Sequence, residues 1–432
     1  MGGRREEARA HGRRLALTCL VAAGAACGSD EPAVTADDAV RRDSAGIPVA
    51  ETPLASIPRV TLGNVVLSIG ATEGPPGHEL YDVRSPWLGE DGRLILANSG
   101  TRELRVYERD GTLLRSVGGQ GDGPGEYQMI AWVRPWHGDS LAVSDGFTGR
   151  LTILDDEGAV GRTLRLQPAG GTAPPDGGAG TGPAVGGLGG ASAVDVFPDG
   201  RFIGKVGGAS AAPGDTTAVL AVVGSYRVFD ADGREVTRIA DILDGESFRF
   251  VSGDSRSVGP LPFGKSSAVA SLERTVDGAV MALADGSRFG VLWLAADGAV
   301  RRIGQVPVPA EPLTDRMKAA YRERRLAQLA TLPDFARAAQ TAMLEATPYP
   351  ENVPLHGRMV VGGGHVWLER FREPGSERPG EWIAFESATG RATARLTLPA
   401  GTELASVRGD TAVVIATDEL GVQRVIVAPI VR

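Results

Sequence analysis

Asp91 to Tyr127 reads DGRLILANSGTRELRVYERDGTLLRSVGGQGDGPGEY. Two Asp-Gly pairs, Asp91-Gly92 and Asp110-Gly111, stand 19 residues apart in it. Between them lie two short apolar, β-prone runs, Leu94 to Ala97 and Leu104 to Tyr107, joined by Asn98 to Glu103. Asp-Gly between such runs marks a hairpin turn, because both positions tolerate positive φ. The interval therefore holds strand, loop, strand and return turn. An inner strand before the first turn and an outer strand after the second complete four antiparallel strands.

The same two-turn signature recurs along the chain. Gly138-Asp139 precedes Glu157-Gly158, Asp199-Gly200 precedes Asp232-Gly233, Asp277-Gly278 precedes Asp297-Gly298, and Gly363-Gly364 precedes Thr389-Gly390. A four-stranded unit of about 40 residues is the blade of a β-propeller. The blades so defined span roughly 81–118, 128–168, 191–240, 268–307 and 357–398. The C-terminus supplies three further strands, near 402–407, 411–416 and 423–431, and lacks a fourth. Val60 to Ile69 is a β-prone run with no partner of its own, and as the outer strand of this last blade it closes the ring and removes the open edges. The predicted fold is thus all-β, a six-bladed β-propeller over residues 58–432.

Long extra segments fall at 169–190, 205–224, 241–267, 308–356 and 371–381. Each sits at a second turn or an interblade loop, which share one face of a propeller, so that face is elaborated while the opposite one keeps short turns. Elaborated faces of repeat folds are commonly the binding faces. The longest segment predicts a helical insertion between blades four and five, about 312–346. Its two helices run from Thr314, an N-cap, to Ala330 and from Asp334 to Ala346 after Pro333. It reads either as a lid or as a hairpin packed on the rim.

Asn98-Ser99-Gly100, Leu104 to Tyr107 and GGQGDGPGEY at Gly118 to Tyr127 resemble NHL-like six-bladed propellers. In that family a Gly-Pro-Gly-Glu-aromatic stretch links one blade to the next. The resemblance implies fold, with Tyr127 in the family's aromatic packing position, and does not imply an activity.

Upstream, five Arg and two Glu accompany the uncharged run Leu15 to Ala26, which is too short to span a bilayer and has the anatomy of a signal peptide over residues 1–26. Ala25-Ala26-Cys27 resembles the lipobox of bacterial lipoproteins, which implies lipidation at Cys27 and a membrane anchor in the cell envelope, periplasmic or surface-facing. Gly24 stands where that family has leucine. Cleavage after Ala25, leaving a soluble periplasmic protein, is the alternative. Residues 27–57 read as a flexible tether. Loss of the leader moves the formal charge from -8 to -11, which disfavours nucleic acid as a partner.

No pair of histidines has metal-ligand spacing, and the Gly-rich 118–125 stretch lacks the Lys-Ser/Thr of a phosphate loop. Glu126, Tyr127 and Trp132 are candidate ligand-face residues because an interblade loop brings them toward the channel entrance. The function expected is a binding or interaction module taking a protein, peptide or glycan on the loop-bearing face. A metal-dependent hydrolase or lactonase, with Asp82, Glu126, Asp195 and Glu351 ringing the channel, is the alternative; no catalytic residue or cofactor is assigned.

Overall fold

A computed structural model describes residues 40–44, 46–169, 191–207, 216–253 and 255–432. The expected signal peptide, Cys27, the start of the tether and most of segment 169–190 lie outside them. The chain enters through β1 (Val40–Ser44), β2 (Ile47–Glu51), β3 (Arg59–Leu62) and β4 (Leu67–Ile69). Four-stranded antiparallel units then follow one another. The first is β5 (Val83–Leu88), β6 (Leu94–Asn98), β7 (Glu103–Tyr107) and β8 (Leu113–Gly118). The second is β9 (Ile130–Pro135), β10 (Leu141–Asp145), β11 (Arg150–Leu154) and β12 (Val160–Leu164).

The third unit is longer: β13 (Ala191–Val196), β14 (Phe202–Gly207), β15 (Ala218–Phe229), β16 (Glu235–Ser252) and β17 (Ser255–Pro260). The fourth holds β18 (Ala268–Val276), β19 (Ala279–Ala284), β20 (Gly290–Ala295) and β21 (Val300–Gln305). Helices α1 (Asp315–Leu329) and α2 (Asp334–Ala346) come next in the chain. They lead into β22 (His356–Gly362), β23 (His365–Arg370), β24 (Gly380–Glu386) and β25 (Ala392–Leu398). The last strands are β26 (Thr402–Arg408), β27 (Thr411–Thr417) and β28 (Gln423–Val431).

The turns explain why the Asp-Gly signature repeats. In most of them the glycine N–H donates to the carbonyl three residues back, and that residue's own N–H bonds the carbonyl four ahead. Glu108 with Gly111 and Thr112, Asp155 with Gly158 and Ala159, and Asp230 with Gly233 and Arg234 all do this. Only the glycine then has positive φ, 90° at Gly111 and 81° at Gly233. These are type I turns with a glycine bulge rather than the expected two-residue turns with both positions left-handed. Asp277-Gly278, with φ of 50° and 79°, does keep the expected form, as does Gly363-Gly364.

The first strands of the successive units neighbour one another in cyclic order: β5 beside β9, then β13, β18, β22, β26 and β5 again. Apolar side chains fill every interval between units. Ala97, Leu104, Val133 and Leu154 pack between the first two, and Phe197, Ile203, Met281 and Leu294 between the third and fourth. Trp293 and Phe385 are buried between the fourth and fifth, and Leu94, Tyr107, Val413 and Val425 between the last and the first. Such sheets, each buried on both faces against its neighbours, are the architecture of a β-propeller.

The N-terminal segment is stitched in at two places. β4 pairs antiparallel with β28, Ile69 opposite Val425, so the early run supplies the missing fourth strand beside the C-terminal one, as the sequence predicts. β3 differs from the expectation of one continuous strand: it pairs parallel with β25 at Val60 and Leu396 and antiparallel with β28 at Leu62 and Ile430, bridging two units. The tether reading of 27–57 is corrected for its C-terminal part. β2 pairs parallel with β21, Ile57 is buried between the fourth and fifth units, and the Thr52 hydroxyl accepts from the Ala392 N–H at 3.1 Å. Among the described residues, no helix is long and apolar enough to cross a membrane.

Candidate functional site

Second turns and interunit loops share one face. On the side of units three to five this face is built up. β15 and β16 run on past β14, with Ala218 to Val223 pairing Leu243 to Arg249, and β17 adds to the far edge. Phe263, after β17, sits within 6.5 Å ring-to-ring of Tyr321 on α1, Tyr349 after α2 and Phe371 after β23. Arg324 of α1 holds Glu373 at 3.1 Å, so the helices are packed against residues that follow strands of the third and fifth units. Phe263 has φ of 56°, a conformation costly for a bulky side chain, and this aromatic cluster holds it there.

On the low side of the same face, loops of the last, first and second units enclose a cavity of about 480 Å³. Tyr81 and Asp82 enter it from ahead of β5, Gly100 and Arg102 from the β6–β7 loop, Gln128 and Met129 from ahead of β9, and Thr417 and Gln423 from the β27–β28 loop. The local sequence positions them through side chains at the ends of second strands. Asn98, buried at the end of β6, accepts from the Tyr81 N–H at 2.7 Å and donates to Thr101 at 3.0 Å. Asp145, at the corresponding end of β10, accepts from the N–H groups of Gln128, Phe147 and Thr148 at 2.8, 2.9 and 3.0 Å. Buried polar groups satisfied in this way fix the loops rather than leaving them to float.

Most polar side chains in the cavity are held at one end. Gln423 accepts from the Val83 N–H at 2.8 Å through Oε1, and its amide nitrogen remains. Arg102 donates through Nε to the Gln128 carbonyl at 3.3 Å and through Nη1 to the Gly100 carbonyl at 3.0 Å. Asp82 is neutralised locally by Arg84 at 3.1 Å. Among the described residues Arg102 pairs with no carboxylate. Five non-glycine residues in the described chain have positive φ, and two of them, Asp82 at 52° and Arg102 at 58°, line this cavity. Such conformations cost about 1 kcal/mol or more each and persist where surrounding structure over-determines them.

Two of the lining residues, Tyr81 at 70% exposed and Met129, leave large side chains in water; Leu420, 88% exposed, precedes the lining residue Gly421, and the exposed Phe147 follows Gly146. The Tyr81 ring lies against Gly100, where a Cβ would be 2.1 Å from its Cδ1. Gly146, beside Phe147, likewise lies against the Met129 side chain.

The residues named from sequence sit near this cavity without forming it. Tyr127 is fully buried among Ala97, Leu104, Ile130 and Leu154, and burial pushes its phenol up to about 12. Glu126 accepts from the Gly123 N–H at 2.8 Å and so braces its own loop. Trp132 is buried between the second and third units and donates to the Ala193 carbonyl at 3.2 Å. The cavity residues Gln128 and Met129 lie in the same loop. The acidic ring does not assemble either: Asp195 is bound by Arg134 at 3.1 Å and by Ser271 at 2.9 Å, and Asp82 by Arg84. Among the described residues, no three His, Cys, Asp or Glu side chains converge. A signal for the loops that line this cavity was present in sequence, since Asn98-Ser99-Gly100 and Asp145-Gly146 occupy equivalent second-turn positions.

No family model matches the chain, and no curated protein matches it. Solved structures of similar architecture do. A protein of Bacteroides fragilis aligns at 10% identity over 88% of this chain and 99% of its own, with a TM-score of 0.44. A member of the DUF4221 family from Bacteroides vulgatus aligns at 9% identity over 86% and 97%, with a TM-score of 0.43. Virginiamycin B lyase from Staphylococcus aureus aligns at 9% identity over 83% and 98%, with a TM-score of 0.38. Similarity at this level says nothing about ligand or chemistry.

Proposed function

We propose that this chain is an exported, lipid-anchored binding protein, a six-bladed propeller that takes its partner on the face where second turns and interblade loops meet. In this reading residues 1–26 direct export, Cys27 carries the anchor, and α1 and α2 are an insertion between blades four and five packed on the rim. The cavity ringed by Tyr81, Arg102, Gln128 and Gln423 is the observation that carries it. Polar side chains already fixed at one end, backbone strain confined to few positions and an exposed apolar rim are the marks of a preorganised recognition surface. The cyclic order of inner strands and apolar clusters supports the count of six blades. The hydrolase alternative has no support from Asp82 and Asp195, which are held by separate arginines, or from Glu126, which braces its own loop.

Fractionation of cells producing wild type and Cys27→Ala tests the anchor: the wild type is expected with membranes and the variant in the soluble fraction. Equal release of both would overturn it. For the binding face, partners recovered by pull-down with wild type are expected to be lost from Tyr81→Ala combined with Leu420→Asp, and kept by Asp110→Asn on the opposite face. The reverse pattern would put binding on the short-turn face.

A further inference from the structure

We infer that the cavity receives a carboxylate carried by a peptide segment of a partner protein, with Arg102 as its receptor and the Tyr81, Met129, Phe147 and Leu420 rim taking the flanking apolar side chains. The inference rests on the binding-face reading above and adds the ligand's chemistry to it.

Charge comes first. A guanidinium has five N–H donors, and Arg102 spends two of them on carbonyl oxygens, leaving three without an acceptor among the described residues. The chain as a whole is acidic, at -8; at the cavity Asp82 is paired with Arg84, and the two carboxylates bonded to Gln128, those of Asp145 and Asp122, are taken up by N–H groups rather than by Arg102. An unmatched cation in an acidic protein concentrates potential at one spot, which attracts an anion and discriminates against a cation. Placement of Arg102 also carries information. It holds a left-handed backbone that glycine or asparagine would adopt with less strain. The two carbonyls that orient its guanidinium belong to neighbouring lining residues, Gln128 and Gly100, so the group is aimed before any ligand arrives.

The rim then selects among carboxylate ligands. Tyr, Met, Phe and Arg are the residue types enriched where proteins meet proteins, while acidic residues and lysine are depleted. Tyr81, Gln128 and Gln423 would serve a sugar acid equally well, so the discrimination rests on the exposed Leu420 and Met129, which a sugar acid would leave without a counterpart and an apolar peptide would cover. A cavity of about 480 Å³ admits a few side chains of a segment rather than a folded domain. The carboxylate itself has two sources in a peptide, an Asp or Glu side chain and a chain end, and both present the same two oxygens.

A test uses the purified full chain in detergent and an array of fluorescent nonapeptides rich in apolar residues. Each sequence is made in three forms: with a free C-terminus and no acidic side chain, amidated with an internal Glu, and amidated with Gln in its place. Fluorescence polarisation is expected to show binding of at least one carboxylate form, tenfold or more tighter than the amidated Gln form. Preference for the first form assigns the chain end, and preference for the second assigns a side chain. Arg102→Gln is expected to erase the difference between forms, with thermal unfolding confirming that the variant folds. Tyr81→Ala, which removes the ring and keeps the Gly100 and Gln128 carbonyls that orient Arg102, is expected to weaken all forms alike. Equal binding of all three forms, a preference that survives Arg102→Gln, or no binding of any peptide would overturn the inference. Equal binding that still depends on Tyr81 and Leu420 would leave the binding face standing while the carboxylate falls; indifference to both would remove the face as well.

Discussion

Ile69 and Val425 are register partners across the join of β4 and β28, both without exposed surface, so a residue near the start of the described chain and one near its end are buried against each other. Their neighbours Leu67, Leu94, Tyr107 and Val427 complete the apolar layer between the last and first units. Loss of β4 bares the β28 edge and unties the last unit from the chain that leads into the first.

Truncations of increasing length should therefore fall into three classes. Removing residues up to 39 is expected to leave cooperative unfolding unchanged. Removal through 57 strips β2, Ile57 and the Thr52 bond to Ala392, and should cost several kcal/mol at about 1.5–3 for each buried large side chain. Removal through 69 should abolish the cooperative transition. Calorimetry on the three chains checks this; a sharp transition in the longest truncation would contradict closure through β4.

The turn glycines should separate by surroundings. Gly298 has φ of 80°, and a Cβ there would stand 2.0 Å from the Ile239 carbonyl oxygen of the preceding unit. Gly138 has φ of 60° and nothing within 4 Å of that position. Gly138→Ala should cost about 1–2 kcal/mol, the left-handed penalty alone. Gly298→Ala adds a backbone clash between units and should cost at least about 3 kcal/mol, at the upper end for single substitutions. Equal losses in denaturant titrations would show that the approach to Ile239 relaxes freely.

Burial raises the Glu369 carboxyl above the ordinary value of 4.5, against the opposing effects of the Arg358 N–H and of Arg372 and Arg358, with Glu403 adding to the rise. The folded state thus holds a proton that the unfolded state releases first, and stability must fall as pH climbs above 4.5 toward the folded value. Glu369→Gln should remove this part of the slope and gain stability relative to wild type at neutral pH. Unfolding midpoints from acidic to neutral pH read it directly, and parallel curves for the two proteins would contradict the burial effect.

Much of the fold was legible because each unit repeats one turn and one alternation, so Asp110-Gly111 and Asp297-Gly298 announce the same local geometry. β4 was legible by subtraction, since three C-terminal strands lacked a fourth. β2 was not: its pairing with β21 is short and parallel, its hairpin to β1 has Gly46 but no Asp-Gly pair to mark it, and Pro48 close to Arg41, Arg42 and Asp43 resembles a spacer. The cavity was hidden for a different reason. Tyr81, Arg102, Gln128 and Thr417 come together only through ring closure, which no local pattern encodes. The Gly-Pro-Gly-Glu stretch belongs to a loop that reaches the cavity, yet its prominent residues Glu126 and Tyr127 brace and fill it while Gln128 and Met129 face the cavity.

Site-specific photocrosslinking in intact cells tests the central claim, that a partner is held on the cavity face. A benzophenone amino acid placed at Tyr81, Met129 or Leu420 reports from the cavity mouth, and one placed at Asp91, Asp110 or Asp297 reports from the short turns opposite. A shared crosslinked species is expected from the first three positions, reduced tenfold or more when Arg102→Gln is present, and absent from the second three. The same species arising from the short-turn positions and not from Tyr81, Met129 or Leu420 would contradict the account.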